Sequence, residues 1–187
     1  MESISRKKFI KKVCYAGTCL CGFNAAGLAN NENQTETDNP INDNKNNLQR
    51  EWLSVLLNNM NDTIEANEKR KILKSCASVH YFNLGMDEIL APYKHDLDKF
   101  ISFLESEWGW IIEYNRKENI IIADEDKQLC VCPIINGHNN TDLSSLCYCS
   151  EGFAELMFSF ITGRPVSATV ASSIHRGNKS CIYRIVL

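Results

Sequence analysis

The sequence predicts an α+β domain in which N-terminal helices pack on an antiparallel sheet with one inserted helix. Three observations predict it. Apolar residues recur at helical spacing between Trp52 and Trp108, and short aliphatic runs of strand type follow Gly109. A further helical run then separates the first strands from the last ones, the order expected of α+β rather than of alternating βαβ units.

Taken in chain order, Trp52, Leu56, Met60 and Ile64 recur every four residues, and Leu53 and Leu57 fill the same stripe. This is the pattern of an amphipathic helix, beginning near Leu48. A second helix, from about Glu68 to Leu84, would bury Ile72, Leu73, Cys76, Val79, His80 and Phe82. On that stripe Cys76 reads as a small core hydrophobe and His80 as a core or helix-end imidazole. Met86 to Tyr93 forms a short helix broken at Pro92, and a third helix from Asp96 to Trp108 places Leu97, Phe100, Ile101, Leu104 and Trp108 on one side. Trp110–Tyr114 and Ile120–Ala123 flank a polar turn and read as a β-hairpin. Leu129 to Ile135 reads as another strand, followed by the turn signal Asn136-Gly137. Glu151 to Thr162 is a helix with Phe153, Leu156, Met157, Phe160 and Ile161 inward, stopped by Gly163. Two strands, Val166–Ile174 and Cys181–Leu187, close the chain through Arg176-Gly177-Asn178-Lys179.

The chain has 187 residues, 44% of them hydrophobic, with a net charge of −3. That suits one domain with a short appendage. A slightly acidic balance excludes a strongly basic nucleic-acid binder, and no run of 18 apolar residues argues for a multi-pass membrane protein. The charge is unevenly spread: residues 1–29 carry +4, leaving −7 on the remainder. A basic leader before an acidic body is the asymmetry of an export signal. After the basic cluster comes a weakly apolar stretch, Val13 to Leu28, and small residues at Gly27 and Ala29 place signal cleavage after Ala29.

Ser5-Arg6-Lys7-Lys8-Phe9-Ile10-Lys11 resembles a twin-arginine export motif through Arg6 and Phe9, with Lys7 standing where the second arginine would be. An ordinary secretory signal and an uncleaved anchor are the alternatives. Either the twin-arginine or the general secretory machinery is thus an expected partner. The expected address is the periplasm or the extracytoplasmic face of a bacterial cell, with no stable membrane span after cleavage. Residues 30–47 include eight asparagines and Ile41 as the single aliphatic residue, a composition that predicts a disordered Asn-rich linker. Residues 48–187 form the single α+β domain.

Three blocks of the C-terminal third carry a resemblance. They are Cys147-Tyr148-Cys149-Ser150-Glu151-Gly152-Phe153, Gly163-Arg164-Pro165-Val166, and Ser173 to Ile185, which contains His175, Gly177 and Cys181. In kind and spacing they resemble the 4-vinyl reductase domain family. The resemblance implies an α+β module that binds small molecules, some members holding a structural zinc through one Glu and three Cys. Carried over by position, Cys147 and Cys181 occupy two ligand places, while Val170 and Ser173 stand at the others and cannot ligate in the same way.

Nine cysteines leave six after cleavage, at 76, 130, 132, 147, 149 and 181. Cys130-Val131-Cys132 and Cys147-Tyr148-Cys149 are two C-x-C pairs, and Cys181 adds a fifth thiol. On strands, residues two apart share a face, so two such pairs would gather four thiolates, a donor set suited to zinc or an iron–sulfur cluster. The candidate metal ligands are therefore Cys130, Cys132, Cys147, Cys149 and Cys181. Disulfides, the usual state in an exported domain, and free thiols are the competing readings. His175, between the closing strands, reads as a solvated turn residue, with reach of a ligand as the alternative; His138 reads as loop surface, Arg164 equally as a turn-packing residue or a grip for an acidic group, and Glu151 as a carboxylate favouring a helix N-terminus. No G-x-S-x-G, P-loop, dinucleotide fingerprint or H-E-x-x-H occurs.

These features predict an exported, non-enzymatic module that binds a metal or a small apolar ligand, with Phe153, Met157 and Phe160 as candidate pocket walls. The alternatives are a cell-envelope reductase or thiol-dependent enzyme, and a disulfide-braced structural or interaction protein.

Overall fold

A computed structural model describes residues 40–132, 134 and 144–187, with the side chains of 40–47 and 50 outside the description. The leader with Arg6, Lys7, Phe9 and Ala29, linker residues 30–39, the turn Asn136-Gly137 and His138 lie outside the described residues. The domain is α+β, as the apolar pattern predicts. Helix α1 (Pro40–Thr63) leads into α2 (Ala66–Ser75), α3 (Ala77–Asn83) and α4 (Met86–Leu90), followed by a tight turn at Ala91–Tyr93. Helix α5 (Leu97–Phe103) continues as a wider π-helical turn, Leu104–Trp108. Strands β1 (Ile111–Asn115) and β2 (Ile120–Asp124) form the expected hairpin. Helix α6 (Cys147–Thr162), β3 (Ser167–Ser172) and β4 (Ile182–Val186) complete the chain. The four strands lie in the order β1-β2-β4-β3, antiparallel throughout.

Helix α1 begins at Pro40, inside the segment read as linker, so the helical backbone starts earlier than Leu48. Its apolar stripe also runs along a different line. Leu57 and Met60 are buried and Leu53 and Ile64 partly so, whereas Trp52 is 65% exposed and Leu56 faces outward. The expected second helix is divided at Cys76, and its buried face is offset from the predicted one. Leu73, Ala77 and Tyr81 point inward, while Ile72, Val79 and Phe82 are exposed and Cys76 lies at the surface. Leu53, Leu57, Met60, Ile64 and Leu73 face inward as the periodicity predicts, while other apolar residues of the same stripes stay outside because neighbours one or two positions away fit the facing helix.

The expected strand at Leu129–Ile135 is absent among its described residues: Leu129 to Cys132 run as irregular backbone with Leu129 and Val131 outward. Cys130 and Cys132 pack instead against the small cluster of Leu57, Met60, Leu73 and Leu146. Among the described residues no helix is long and apolar enough to cross a membrane.

The main core lies between the sheet and α6, α5 and α4. Ile121 and Ala123 of β2, Tyr183 and Ile185 of β4 and Ala168 of β3 alternate inward, meeting Met157, Phe158 and Ile161. Burying side chains of this kind contributes about 1.5–3 kcal/mol each before chain entropy is subtracted. Phe158 meets Phe100 edge-on at 5.1 Å between ring centroids. Gly163, at φ +70°, ends α6 in the left-handed conformation that suits glycine.

Helix α6 starts four residues before the predicted Glu151 and is buried on several sides. Glu151, expected near a helix end, is 1% exposed in its interior. Arg70 of α2 donates to both its oxygens, at 2.7 and 2.8 Å, and the Val170 amide of β3 donates to Oε1 at 2.8 Å. Lys74 continues the network, donating to Glu155 and to the Ala168 carbonyl oxygen. Glu155 in turn accepts from the Ala168 amide. One helix is thereby tied to another helix on one side and to an edge strand on the other.

Next to Glu151, Gly152 lets α2 come close: a Cβ there would lie 2.2 Å from the Lys74 carbonyl oxygen. Gly152→Ala is expected to force the helices apart and cost about 3 kcal/mol or more, read as a lowered midpoint in urea unfolding. A loss below about 0.5 kcal/mol, the scale of a neutral surface change, would show that the helices do not meet this tightly.

Candidate functional site

A cavity of about 410 Å³ opens between α6, the closing strands, the Trp108–Trp110 turn and the irregular residues 130–132, with Ile134. All five predicted thiols line it: Cys130, Cys132, Cys147, Cys149 and Cys181. The reason differs from the predicted one. Cys130-Val131-Cys132 is not a strand, and Cys147 and Cys149 open a helix, where residues two apart point about 200° apart. The cavity wraps around the start of α6 far enough to meet both.

Cys147 Sγ lies 3.2 Å from Ser173 Oγ, which also accepts from the Arg176 amide. Cys130 and Cys181 lie close enough to Cys147 to interact electrostatically with it. Burial raises the Cys147 thiol, against the hydrogen bond of Ser173 and the charge of Arg176. Burial also pushes Cys149 up to about 11, with Cys76 adding to the effect. Cys181 is likewise pushed up to about 11, by burial first and then by Glu125 and the neighbouring sulfurs, while a backbone hydrogen bond at Ile174 opposes. These three are protonated thiols at neutral pH. Cys76, Cys130, Cys147, Cys149 and Cys181 are free cysteines. Among the described residues, no three His, Cys, Asp or Glu side chains are arranged to hold a metal ion, so the donor set expected from the C-x-C pairs is not assembled here.

Residues missed by the sequence reading form the rest of the wall. Trp108 and Trp110 meet edge-on at 5.7 Å, and Trp110 stacks on Tyr183 at 6.0 Å. Tyr183 donates to Glu125 Oε1 at 2.6 Å, and the Glu125 amide donates to the Cys181 carbonyl oxygen at 3.0 Å. Desolvation raises the Glu125 carboxyl, although the Tyr183 hydroxyl and Lys127 pull it down. Tyr183 is held well above its ordinary range by burial and by the charge of Glu125. No motif announces this pair, because it joins the residue after β2 to the second residue of β4. Alternation within the strands hints only that Tyr183 faces inward.

Phe153 and Met157 line the cavity as predicted candidates, whereas Phe160 packs at the core edge under Lys94. His80 meets Phe153 in a tilted contact at 5.0 Å between ring centroids, and burial lowers its pKa. His175 reaches the cavity, and its buried Nε2 has no hydrogen-bond partner among the described residues. Arg164 is exposed beyond the end of α6. Arg70 and Arg176 both stack on Tyr148, at 5.3 and 5.2 Å, fixing the outer face of the α6 start.

The comparison with known sequences covers the same region. The profile of a family of unknown function, DUF6144, matches residues 29–187. The chain belongs to that family. No curated protein matches it. In this DUF6144 protein the matched region includes the whole described domain and every cavity residue.

Alkylation against pH tests the protonated state of the thiols. Exposed Cys76 is expected to label first with iodoacetamide. Labelling of Cys149 and Cys181 is expected to climb about tenfold per pH unit as thiolate forms, levelling near pH 11. A cavity cysteine that titrates below about pH 8 would instead be an activated nucleophile.

Proposed function

We propose that this DUF6144 member is an exported, non-enzymatic binding module whose ligand is a small, largely apolar molecule held in the thiol-lined cavity. The observation that carries this reading is a partly open cavity of about 410 Å³ walled by Trp108, Trp110, Phe153 and Met157 and by five cysteines. Its volume falls in the range of small-molecule sites, and its wall has the usual mix of apolar surface with a few polar groups. The raised thiols weigh against the thiol-dependent enzyme, since a nucleophilic cysteine needs its thiolate.

The 4-vinyl reductase-like character draws support from position. Cys147, Val170, Ser173 and Cys181, which stand at that family's ligand places, all border this cavity. Ser173 replaces a metal-ligating thiol with a hydroxyl in contact with Cys147. A zinc ion or iron–sulfur cluster on the same thiols is the second reading, favoured by the mutual approach of Cys130, Cys147 and Cys181. It requires the sulfurs to gather and to shed their protons against the effect of burial.

The export reading rests on the leader: its five basic residues, weakly apolar stretch and small residues before Asn30. The mature chain recovered from the extracytoplasmic fraction is expected to begin at Asn30. An intact leader on all of the protein would refute cleavage after Ala29.

Indole and 1-anilinonaphthalene-8-sulfonate serve as apolar probes of the cavity. Each is expected to raise the melting midpoint of the mature chain, and Met157→Trp is expected to abolish the shift by filling the space. One equivalent of zinc or iron in protein purified without oxygen, with no probe binding, would favour the metal reading instead. Failure of both probes with no metal present would remove the binding module.

A further inference from the structure

We propose that the outward face of helices α1, α2 and α3 is the contact surface of a symmetric dimer, with a second copy of this chain as its occupant. Its exposed apolar residues stand apart from the lining of the thiol cavity, so the inference is independent of what the cavity holds.

Among the described residues ten large hydrophobic side chains stand exposed, and seven of them belong to these three helices. Leu57 and Met60 of α1, Leu73 of α2 and Ala77 of α3 point into the body. At 3.6 residues per turn, Leu48 and Val55 lie opposite Leu57 and Met60, with Trp52 on the flank. Ile72, Val79 and Phe82 are likewise turned away from Leu73 and Ala77. Helical backbone at Cys76 (φ −65°, ψ −18°) carries that second stripe from α2 into α3. The two stripes lie side by side. Only Ile64 and Glu65 connect α1 to α2, Lys69 Nζ donates to Asn61 Oδ1 at 2.8 Å, and Leu57 and Met60 cluster with Leu73. The helices therefore run as an antiparallel pair whose outer side is apolar.

The centre of this face is also without charge. Residues 52–61 and 75–86 contain no Asp, Glu, Lys or Arg, and His80 within the second stretch turns in against Phe153. Charged side chains stand at the rim, with Glu51 and Asp62 on α1 and the Glu68–Lys71 ion pair on α2. Exposed aromatics in an uncharged centre, ringed by charge, are the anatomy of a protein–protein contact. A lipid surface fits less well, because an interfacial helix carries Lys and Arg beside its apolar face. From Trp52 to Thr63 α1 carries neither, and Lys71 is engaged by Glu68. The dimensions suit a pair of like chains. Two helices side by side over the length of Ala66–Asn83 present a footprint of roughly 27 Å by 20 Å before side-chain relief is counted. Each partner of a stable pair buries about 800 Å² of accessible surface, so this helix pair with its rim supplies most of one interface. Across a two-fold axis the same stripes meet each other, and no like charges are opposed at the centre.

Sedimentation equilibrium on the mature chain, from about 1 to 200 µM, tests this. The wild-type chain is expected to pass from monomer to dimer within that range. Trp52→Glu and Phe82→Glu are each expected to weaken the dimer by at least about a hundredfold, with near-ultraviolet circular dichroism unchanged. Cys76 lies on the second stripe, so its rapid labelling by iodoacetamide belongs to the dilute monomer. That labelling is expected to slow at least about fivefold at concentrations where the dimer forms, a readout that decides on the wild-type chain alone if both variants misfold. A wild-type chain that stays monomeric at the highest concentration overturns the proposal. So does a dimer that both folded variants leave intact, or one in which Cys76 labels at its dilute rate. Binding of a monomeric chain to vesicles of phosphatidylglycerol and phosphatidylethanolamine, lost in Trp52→Glu, would assign the face to lipid and overturn it as well.

Discussion

The buried carboxylate of Glu151 is the constraint on which the rest of the molecule depends. It sits inside α6, where an unpaired charge would be prohibitive, and it is satisfied by a bidentate guanidinium from α2 and an amide from β3. Those partners fix the rotation of α6 about its own axis. Gly152 then fixes its distance from α2, because no side chain fits between that helix and the Lys74 carbonyl. With rotation and distance set, the start of α6 presents Cys147, Cys149 and Phe153 to one space. The cavity is therefore a consequence of how a polar network places a helix.

Two clusters of apolar residues divide the remaining work. The larger one, between sheet and helices, holds the closing strands where Tyr183 and Cys181 reach the cavity. The smaller one, built on Leu57, Met60, Leu73 and Leu146, holds the irregular segment with Cys130 and Cys132 against the opposite wall. Cavity size thus depends on two cores whose contact is indirect. This arrangement gives the segment carrying Cys130 fewer packing constraints than α6, and makes it the wall best placed to adjust to an occupant.

The electrostatics of the site follow from the same geometry. Burial keeps Cys147, Cys149 and Cys181 protonated, so the sulfurs contribute polarizable apolar surface more than charge. The ionic character is concentrated near Trp108, where Glu125, Glu107 and Lys127 meet the rings.

By itself the sequence determined the α+β class, the hairpin at Ile111–Asp124, the order of helices and the end of α6 at Gly163, because those depend on local periodicity and turn chemistry. It also marked the five cysteines that share the cavity. Only the tertiary structure decided which faces are buried. Trp52, Val79 and Phe82 are as apolar as Leu57 and Leu73, and no periodicity tells which of two adjacent stripes meets a partner. The pairings of Arg70 with Glu151 and of Glu125 with Tyr183 span 81 and 58 residues, beyond the reach of any local signal. The cysteines converge through helix placement where strand alternation was the expected cause, and the charged groups that line the cavity are set by contacts that exist only once the chain has folded.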